Sequence, residues 1–392
     1  MKEIYLDNAA TTRVCDEAAE KMREVLCEAY GNPSSLHKKG HEAEKKVREA
    51  REKLASILKV DPSTLYFTSG ATESTNTALR GAAESRIHQG KHILTSRGEH
   101  AATRETLRFL QEKGWEVETL ENDETGRILL SDLEAKLRED TVLVTCLHVN
   151  NETGCIQPIR EMGRIIREKR KQVPGRDCLF HVDAVQSFAK LPLYPAEWDI
   201  DFLSTSAHKV NGPKGTGFLY IRKGLVIPSL IYGGGQEKHF RSGTENVPGI
   251  VGFGEAAARL WKGRDAFQEQ FRRLKLQLYS GLREQVERVV CNGPSPEEGA
   301  AHILNLQIDG VRSEVLLHAL EDYGIYISSG SACSSNKPAE KSPTLASLGK
   351  NAAQIDTSVR ISFGRYNTEE DVAECVQAMA ELIPMLRRFT RK

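Results

Sequence analysis

The eight cysteines of this chain, at positions 15, 27, 146, 155, 178, 291, 333 and 375, include no Cys-x-x-Cys pair. That removes the usual signature of a structural zinc site, so no metal is expected, and it offers no disulfide framework. Most of these thiols are expected to be small buried hydrophobes in a reducing compartment. No Gly-x-x-x-x-Gly-Lys-Ser/Thr loop occurs, which excludes a Walker-type nucleotide site. No apolar run approaches the length of a bilayer-spanning helix, and Met1-Lys2-Glu3-Ile4 leads into a motif without room for a signal peptide. The expectation is a cytoplasmic protein with no membrane partner. An excess of one charge is missing too: 54 basic and 54 acidic side chains cancel, which argues against a general electrostatic footprint for nucleic acid, and no direct nucleic-acid partner is expected. Internal repeats and low-complexity tracts are absent.

What remains is a chain of 392 residues, longer than one typical domain and able to bury a large core, so two domains are expected. Between about Thr64 and Ile221, short β-branched or apolar runs alternate with amphipathic stretches. That is the pattern of an α/β domain with a mostly parallel sheet and helices on both faces. His41 to Leu58 illustrates the helices: Ala43, Val47, Ala50, Leu54 and Ile57 share one face and charged residues cover the other. Beyond Trp261-Lys262-Gly263-Arg264 a long charged helix is expected to about Val286. Ile303–Ile308 then reads as a half-buried strand, Ser313–Tyr323 as a helix and Ile325–Ile327 as a strand, which together suggest a smaller α+β domain.

The loops after the expected strands carry the chemistry, since active groups in open α/β sheets gather at strand carboxyl ends. Ser204-Thr205-Ser206-Ala207-His208-Lys209, followed by Gly212-Pro213-Lys214-Gly215, ends an apolar run. A lysine placed there, beside the Ser206 hydroxyl and the His208 imidazole, is a candidate Schiff-base residue for pyridoxal 5′-phosphate (PLP); alone it reads more readily as a solvated surface charge. Ser69-Gly70-Ala71-Thr72-Glu73 opens a helix after a short strand, and its N–H groups with the Thr72 hydroxyl suit an anion. An ordinary N-cap is the plain alternative. Phe180-His181-Val182-Asp183 ends in a carboxylate suited to keeping a pyridine nitrogen protonated, and Gln186, one turn on, is placed to reach the ring hydroxyl. His100 in Glu99-His100-Ala101-Ala102 is a candidate to stack on the ring and exchange protons, and Asn151 in His148-Val149-Asn150-Asn151-Glu152 is a candidate for its 3′-oxygen.

The order of these motifs is more specific than any one of them. Tyr5-Leu6-Asp7-Asn8-Ala9-Ala10-Thr11-Thr12, Gly70-Ala71-Thr72-Glu73, Glu99-His100, His148 to Gly154, His181 to Gln186, Ala207-His208-Lys209, Arg241-Ser242-Gly243-Thr244 and Ser329 to Ser335 resemble the NifS/IscS-like cysteine desulfurases. Those enzymes are fold type I PLP-dependent transferases of the class V aminotransferase family. The resemblance runs from Ile4 to about Glu370.

It implies a large PLP-binding domain over residues 16–260 and a small domain formed by residues 1–15 and 261–392. It further implies that L-cysteine is converted to L-alanine with its sulfur passed to Cys333 as a persulfide. From there the sulfur would reach an acceptor protein, an iron–sulfur scaffold or a tRNA-thiolation enzyme. Lys209, Cys333 and His100 are the implied catalytic residues. Ala71, Thr72, His100, Asn151, Asp183, Gln186, Ser206, His208 and Lys209 are the implied cofactor contacts, joined by Thr244 reaching across a homodimer interface. Asn151 and Arg360 are expected on the substrate, with Arg365 competing for its carboxylate. Cys333 sits in a long stretch with little to bury, where Lys337 or Lys341 favours its thiolate. Asn336 to Lys341 departs from the commoner family pattern, which leaves the acceptor open. A selenocysteine lyase or a class V aminotransferase would share the same cofactor site without needing the persulfide.

Overall fold

A computed structural model describes residues 2–329 and 342–389. Among these residues the strands are, in chain order, β1 (Ile4–Tyr5), β2 (Leu65–Thr68), β3 (His92–Ser96), β4 (Glu116–Leu120), β5 (Thr141–Leu147), β6 (Leu179–Asp183), β7 (Phe202–Ser206), β8 (Gly217–Ile221), β9 (Val289–Cys291), β10 (Ile303–Ile308), β11 (Ile325–Tyr326) and β12 (Ser358–Ser362).

Seven strands make one sheet in the order β2-β8-β7-β6-β5-β3-β4. β8 alone runs antiparallel, to β2 on one side and β7 on the other. The remaining pairs are parallel. β3, β5, β6, β7 and β8 are buried along their whole length, as strands covered on both faces must be. This is the mostly parallel α/β arrangement expected from the sequence.

The helices on this sheet follow from their apolar faces. Lys38–Leu58 buries Ala43, Val47, Ala50, Leu54 and Ile57 and stops at Lys59 in the left-handed conformation. It packs on the helix Val247–Lys262, where a Cβ added to Gly254 would lie 3.0 Å from the Cβ of Ala50, so the two backbones approach closely only because that position is bare. Ala71–Arg86 starts at Gly70, whose φ of 150° suits glycine. Gly217, at the start of β8, lies so near that an added Cβ would fall 2.7 Å from Gly70 Cα. The two glycines therefore let the helix start sit directly against the sheet.

A second sheet, β12-β10-β9, is antiparallel throughout. Its core joins Leu304, Leu306 and Val359 to Phe271, Leu274 and Leu278 of the helix Arg264–Gln285 and to the C-terminal helix Glu369–Phe389. β10 departs from the half-buried strand expected from its alternation, because only Gln307 is partly open. The reason is a polar second layer. Asn305 Nδ2 donates to Glu152 O at 3.3 Å, and Asn292 Nδ2 donates to Asn305 Oδ1 at 2.8 Å and Ser358 Oγ at 3.0 Å, so the other face is covered as well.

The N-terminus closes the arrangement. β1 pairs in parallel with β11, and Ile4 and Leu6 belong to the core of the small sheet. No helix among the described residues is long and apolar enough to cross a membrane.

Candidate active site

The strand ends of the large sheet and the edge of the small one enclose a cavity of about 640 Å³. Lys209, His100, Asp183, Thr72, Ala71, Asn151, Gln186, Ser206, His208 and Arg360 all line it, although they are spread over nearly 290 positions of the chain. Thr244 does not belong to the lining; it is exposed on the loop after Arg241, which ion-pairs with Glu73 at 2.9 Å. Cys333 lies outside the described residues.

Lys209 follows β7 on a single 3₁₀ turn, Ala207–Lys209. The N-terminal motif is stitched to that turn: Thr12 N and Thr12 Oγ1 each donate to His208 O at 2.8 Å, and Asn211 N donates to Thr12 Oγ1 at 2.9 Å. This brings the Ala9 and Ala10 carbonyls over the lysine. Lys209 Nζ donates to them at 2.6 and 2.7 Å.

Asp183 ends β6 and accepts from Val185 N at 2.9 Å. Burial raises its pKa, and the charge of His100 is the main influence working the other way. Burial likewise lowers the pKa of His100, against the pull of Asp183. The His100 ring opens to the cavity, while its Nδ1 accepts from Ala102 N at 3.1 Å and so caps the helix Ala101–Glu112. Beside it, Glu99 is buried and pushed up to about 8 by desolvation, with Oε1 accepting from Leu147 N at 2.9 Å and from Ser96 Oγ.

A pyridine ring carrying a protonated nitrogen fits this set. Among the described residues Asp183 forms no ion pair, and burying an ionised carboxylate without a counter-charge is costly. A pyridinium supplies that charge. Ala71 and Thr72, in the first turn of their helix, have N–H groups with no intrahelical acceptor, as at any helix start, and these suit the phosphate.

Arg360 lies in the middle of β12 and is buried. Nη2 donates to Asp7 Oδ1 at 2.7 Å and Nη1 to Asn151 O at 3.0 Å, while Nε is buried without a partner. The competing Arg365 lies away from the cavity, over the rings of Phe267 and Tyr366 at 5.7 and 5.2 Å. Gln186 lines the cavity and is held by neighbours of its own. Its Nε2 donates to Ala9 O at 2.9 Å, and its Oε1 faces Lys190 Nζ and His302 Nε2, each at 3.4 Å.

Sequence reasoning missed Asp7 as the anchor of Arg360, although Asp7 stands inside a motif it had singled out. It missed Glu99 beside His100 for the same reason. Lys190 and Arg104 carried no signal, because a lysine or arginine on an amphipathic stretch reads as solvated; Arg104 in fact lines the cavity and donates to Glu99 O at 2.7 Å.

The family model for class V aminotransferases matches residues 4–374. The chain belongs to the class V aminotransferase family. Within that family it groups with the cysteine desulfurases. It is 39% identical over 386 residues to a putative cysteine desulfurase IscS 1 of Bacillus subtilis (strain 168), covering 98% of this chain and 100% of that one. It is 41% identical over 392 residues to the cysteine desulfurase IscS of Photorhabdus laumondii subsp. laumondii, covering 99% and 94%. A solved NifS-like protein superposes with a TM-score of 0.91 at 38% identity, over 98% of this chain and 100% of that one. The class V enzyme described here is a cysteine desulfurase and depends on PLP. Cysteine desulfurases act on cysteine and pass its sulfur to acceptor proteins.

Proposed function

We propose that Lys209 carries the PLP of this desulfurase, that Asp183 faces the ring nitrogen and His100 the ring, and that Ala71, Thr72, Ser206 and His208 surround the phosphate. Asn151 meets the 3′-oxygen, and Arg360 binds the substrate carboxylate. The observation that carries this reading is one cavity that gathers the lysine, a buried carboxylate without an ion pair among the described residues, and the Arg360 guanidinium.

When bound, PLP supplies an electron sink that makes the substrate Cα–H acidic. Arg360, already fixed by Asp7 and Asn151 O, lines the cavity and would orient the substrate through its carboxylate. Lys209 Nζ would take the Cα proton, and the Ala9 and Ala10 carbonyls, which it meets at 2.6 and 2.7 Å, would help to place it for that transfer. His100, kept neutral by desolvation in the cleft and accepting at Nδ1 from Ala102 N, carries its proton on Nε2 and can donate it there.

Cys333 is the sulfur acceptor in this reading. Its thiolate attacks the substrate sulfur, an S–S bond forms as the Cβ–S bond breaks, the electron pair stays with the carbon fragment, and protonation at Cβ together with return of a proton to Cα yields alanine. Among the described thiols, burial pushes Cys155 and Cys178 up to about 12 and Cys146 well above its ordinary value, so these make poor competitors.

The same reading gives a large domain over residues 16–260, a small one from residues 1–15 and 261–392, and a cytoplasmic homodimer in which Thr244 serves the partner's phosphate. Leu36, Val226 and Tyr232 are largely exposed, the kind of apolar surface a second copy covers. The final acceptor is an iron–sulfur scaffold or a tRNA-thiolation protein. PLP-loaded enzyme incubated with L-cysteine should release alanine and gain the mass of one sulfur atom on the peptide carrying Cys333. Keto acid as the main product, or the extra sulfur on Cys146, Cys155 or Cys178, would contradict the proposal.

A further inference from the structure

Behind the cavity wall lies an amine that the mechanism does not use. Lys190 is 6% exposed, and among the described residues it forms no ion pair. Its Nζ reaches one side-chain acceptor, Gln186 Oε1, at 3.4 Å. A buried lysine without a carboxylate is expensive to keep, and the backbone does not relieve the strain. Ala189, the residue before it, has a φ of 57°, a left-handed conformation that alanine rarely adopts. The chain is bent unfavourably and the ammonium is enclosed, and both features direct Lys190 toward Gln186.

From Gln186 the connection continues to the catalytic lysine. Gln186 Nε2 donates to Ala9 O at 2.9 Å, and Lys209 Nζ donates to that same carbonyl at 2.6 Å. His302, from the end of the small sheet, offers Nε2 to Gln186 Oε1 at 3.4 Å, and its Nδ1 is buried without a partner. Two donors thus converge on one amide oxygen, which fixes the amide so that its NH₂ group points at Ala9 O.

We propose that Lys190 is a positioning residue of the desulfurase reaction, acting on Lys209 through the Gln186 amide and the Ala9 carbonyl. The inference rests on Lys209 being the cofactor lysine. It has two consequences. Without Lys190 the amide loses its orientation, the Ala9 carbonyl loses one of its two donors, and Lys209 is held less well for proton transfer. Charge matters as well, because the groups that act on Lys190 and its neighbours are cationic or neutral bases. Burial and then the charge of Lys209 bring the Lys190 pKa down to about 7. His208 is lowered to about 4 by burial and then by Lys209, Lys214, Lys190 and His100, and His302 is lowered by burial, Lys190 and Lys275. While Lys190 is charged, it and a protonated Lys209 repel each other.

The test uses the PLP-loaded full chain. Lys190→Met and Gln186→Leu are made singly and together, and Lys190→Gln is made as a second variant in case the methionine variant folds poorly. kcat/KM for L-cysteine is measured, and the visible absorbance of the Lys209-bound cofactor is titrated with pH. Each single variant should lose about tenfold in kcat/KM, and the double variant should lose little more than the worse single one, because both substitutions break the same connection. The absorbance midpoint should rise by about one pH unit in Lys190→Met and Lys190→Gln and sharpen to a single-site curve, since a neighbouring charge has gone. Multiplied losses in the double variant, or a midpoint unmoved in both lysine variants, would overturn the inference. An absorbance band that survives Lys209→Ala would overturn the assignment of Lys209 itself, and that outcome is separable because it appears before Lys190 is altered.

Discussion

The two sides of the cleft hold their charged groups in opposite ways. On the large-sheet side Asp183 is buried and, among the described residues, without an ion pair, desolvation favours the neutral form of His100, and Lys209 rests on two backbone carbonyls. On the small-sheet side Arg360 already has a carboxylate at 2.7 Å and a carbonyl at 3.0 Å. The difference separates two tasks. In the proposed reading the cofactor supplies the counter-charge for Asp183, whereas Arg360, already held on two sides, orients what arrives. Rigidity is therefore concentrated on the small-sheet side and chemical demand on the large-sheet side.

The most severe way to break this contrast is to remove the groups proposed to react. Lys209→Ala should lower kcat by at least about 10³-fold, because positioned proton transfer and the cofactor attachment go together. Reduction with borohydride followed by peptide mapping should place the cofactor on Lys209 in the parent enzyme and nowhere in the variant, including Lys214. Cys333→Ser should be comparably damaging to sulfur transfer yet leave cofactor absorbance intact, since a serine hydroxyl is not ionised near neutral pH and attacks sulfur poorly. Full alanine production by that variant would remove Cys333 from the mechanism.

A milder change sharpens the comparison from the other side. Arg360→Lys keeps the charge but loses the fork, at a cost of about 1.5–3 kcal/mol, or roughly 10–100-fold, and it should appear chiefly in KM for L-cysteine. Asp7→Asn should raise KM in the same direction but less, because Asn151 O still holds one arm of the guanidinium. Equal losses in kcat for both variants would mean that Arg360 takes part in the chemical step and does not merely orient the substrate.

The smallest effect concerns the core beneath the site. Burial lowers His148 to about 4 and His181 to about 3, so both stay neutral in the folded protein, while in the unfolded chain they take up protons below about 6.5. The unfolded state then binds more protons, and stability falls as pH drops from about 6.5 toward about 3. His181, held between Thr145 Oγ1 and Ser204 Oγ at 2.8 Å each, cannot be replaced without breaking that chain. His148→Phe is the cleaner probe, and it should flatten the acid slope of the thermal midpoint. An unchanged slope would show that His148 contributes none of it.

The legibility of the molecule follows the range of its interactions. Strands such as β5 and β6 announced themselves through local composition, and so did the turns that carry Lys209, Asp183 and His100, because each is a short segment with its own signature. The full burial of β10 was not legible: its alternation is real, but Asn305 and Asn292 cover the second face through partners far away in sequence. The contacts that hold Gln186 were illegible for a related reason. Its spacing from Asp183 suggested the cofactor ring and it does line the cavity, but Ala9 and His302, which meet its amide, are far away in sequence. Arg360 and Arg365 were indistinguishable as residue types and are separated by place: Arg360 lies within β12 and lines the cavity, whereas Arg365 lies in the turn beyond it.

The pairing of β1 with β11 joins residues Ile4 and Ile325, and the contact of Arg360 with Asp7 spans a similar separation. A ribosome adding about 5–20 residues per second therefore exposes the N-terminal strand for on the order of tens of seconds before its partner emerges. Through that interval the large sheet can assemble, but Ile4 and Leu6 have no core to enter and the cleft has no closing wall. Contacts of such sequence separation also slow folding after release, because loop closure precedes their reward. Cofactor capture is thus tied to the last strand to be synthesised, and truncation before β12 should leave a nascent chain with every PLP-facing loop present and no finished pocket.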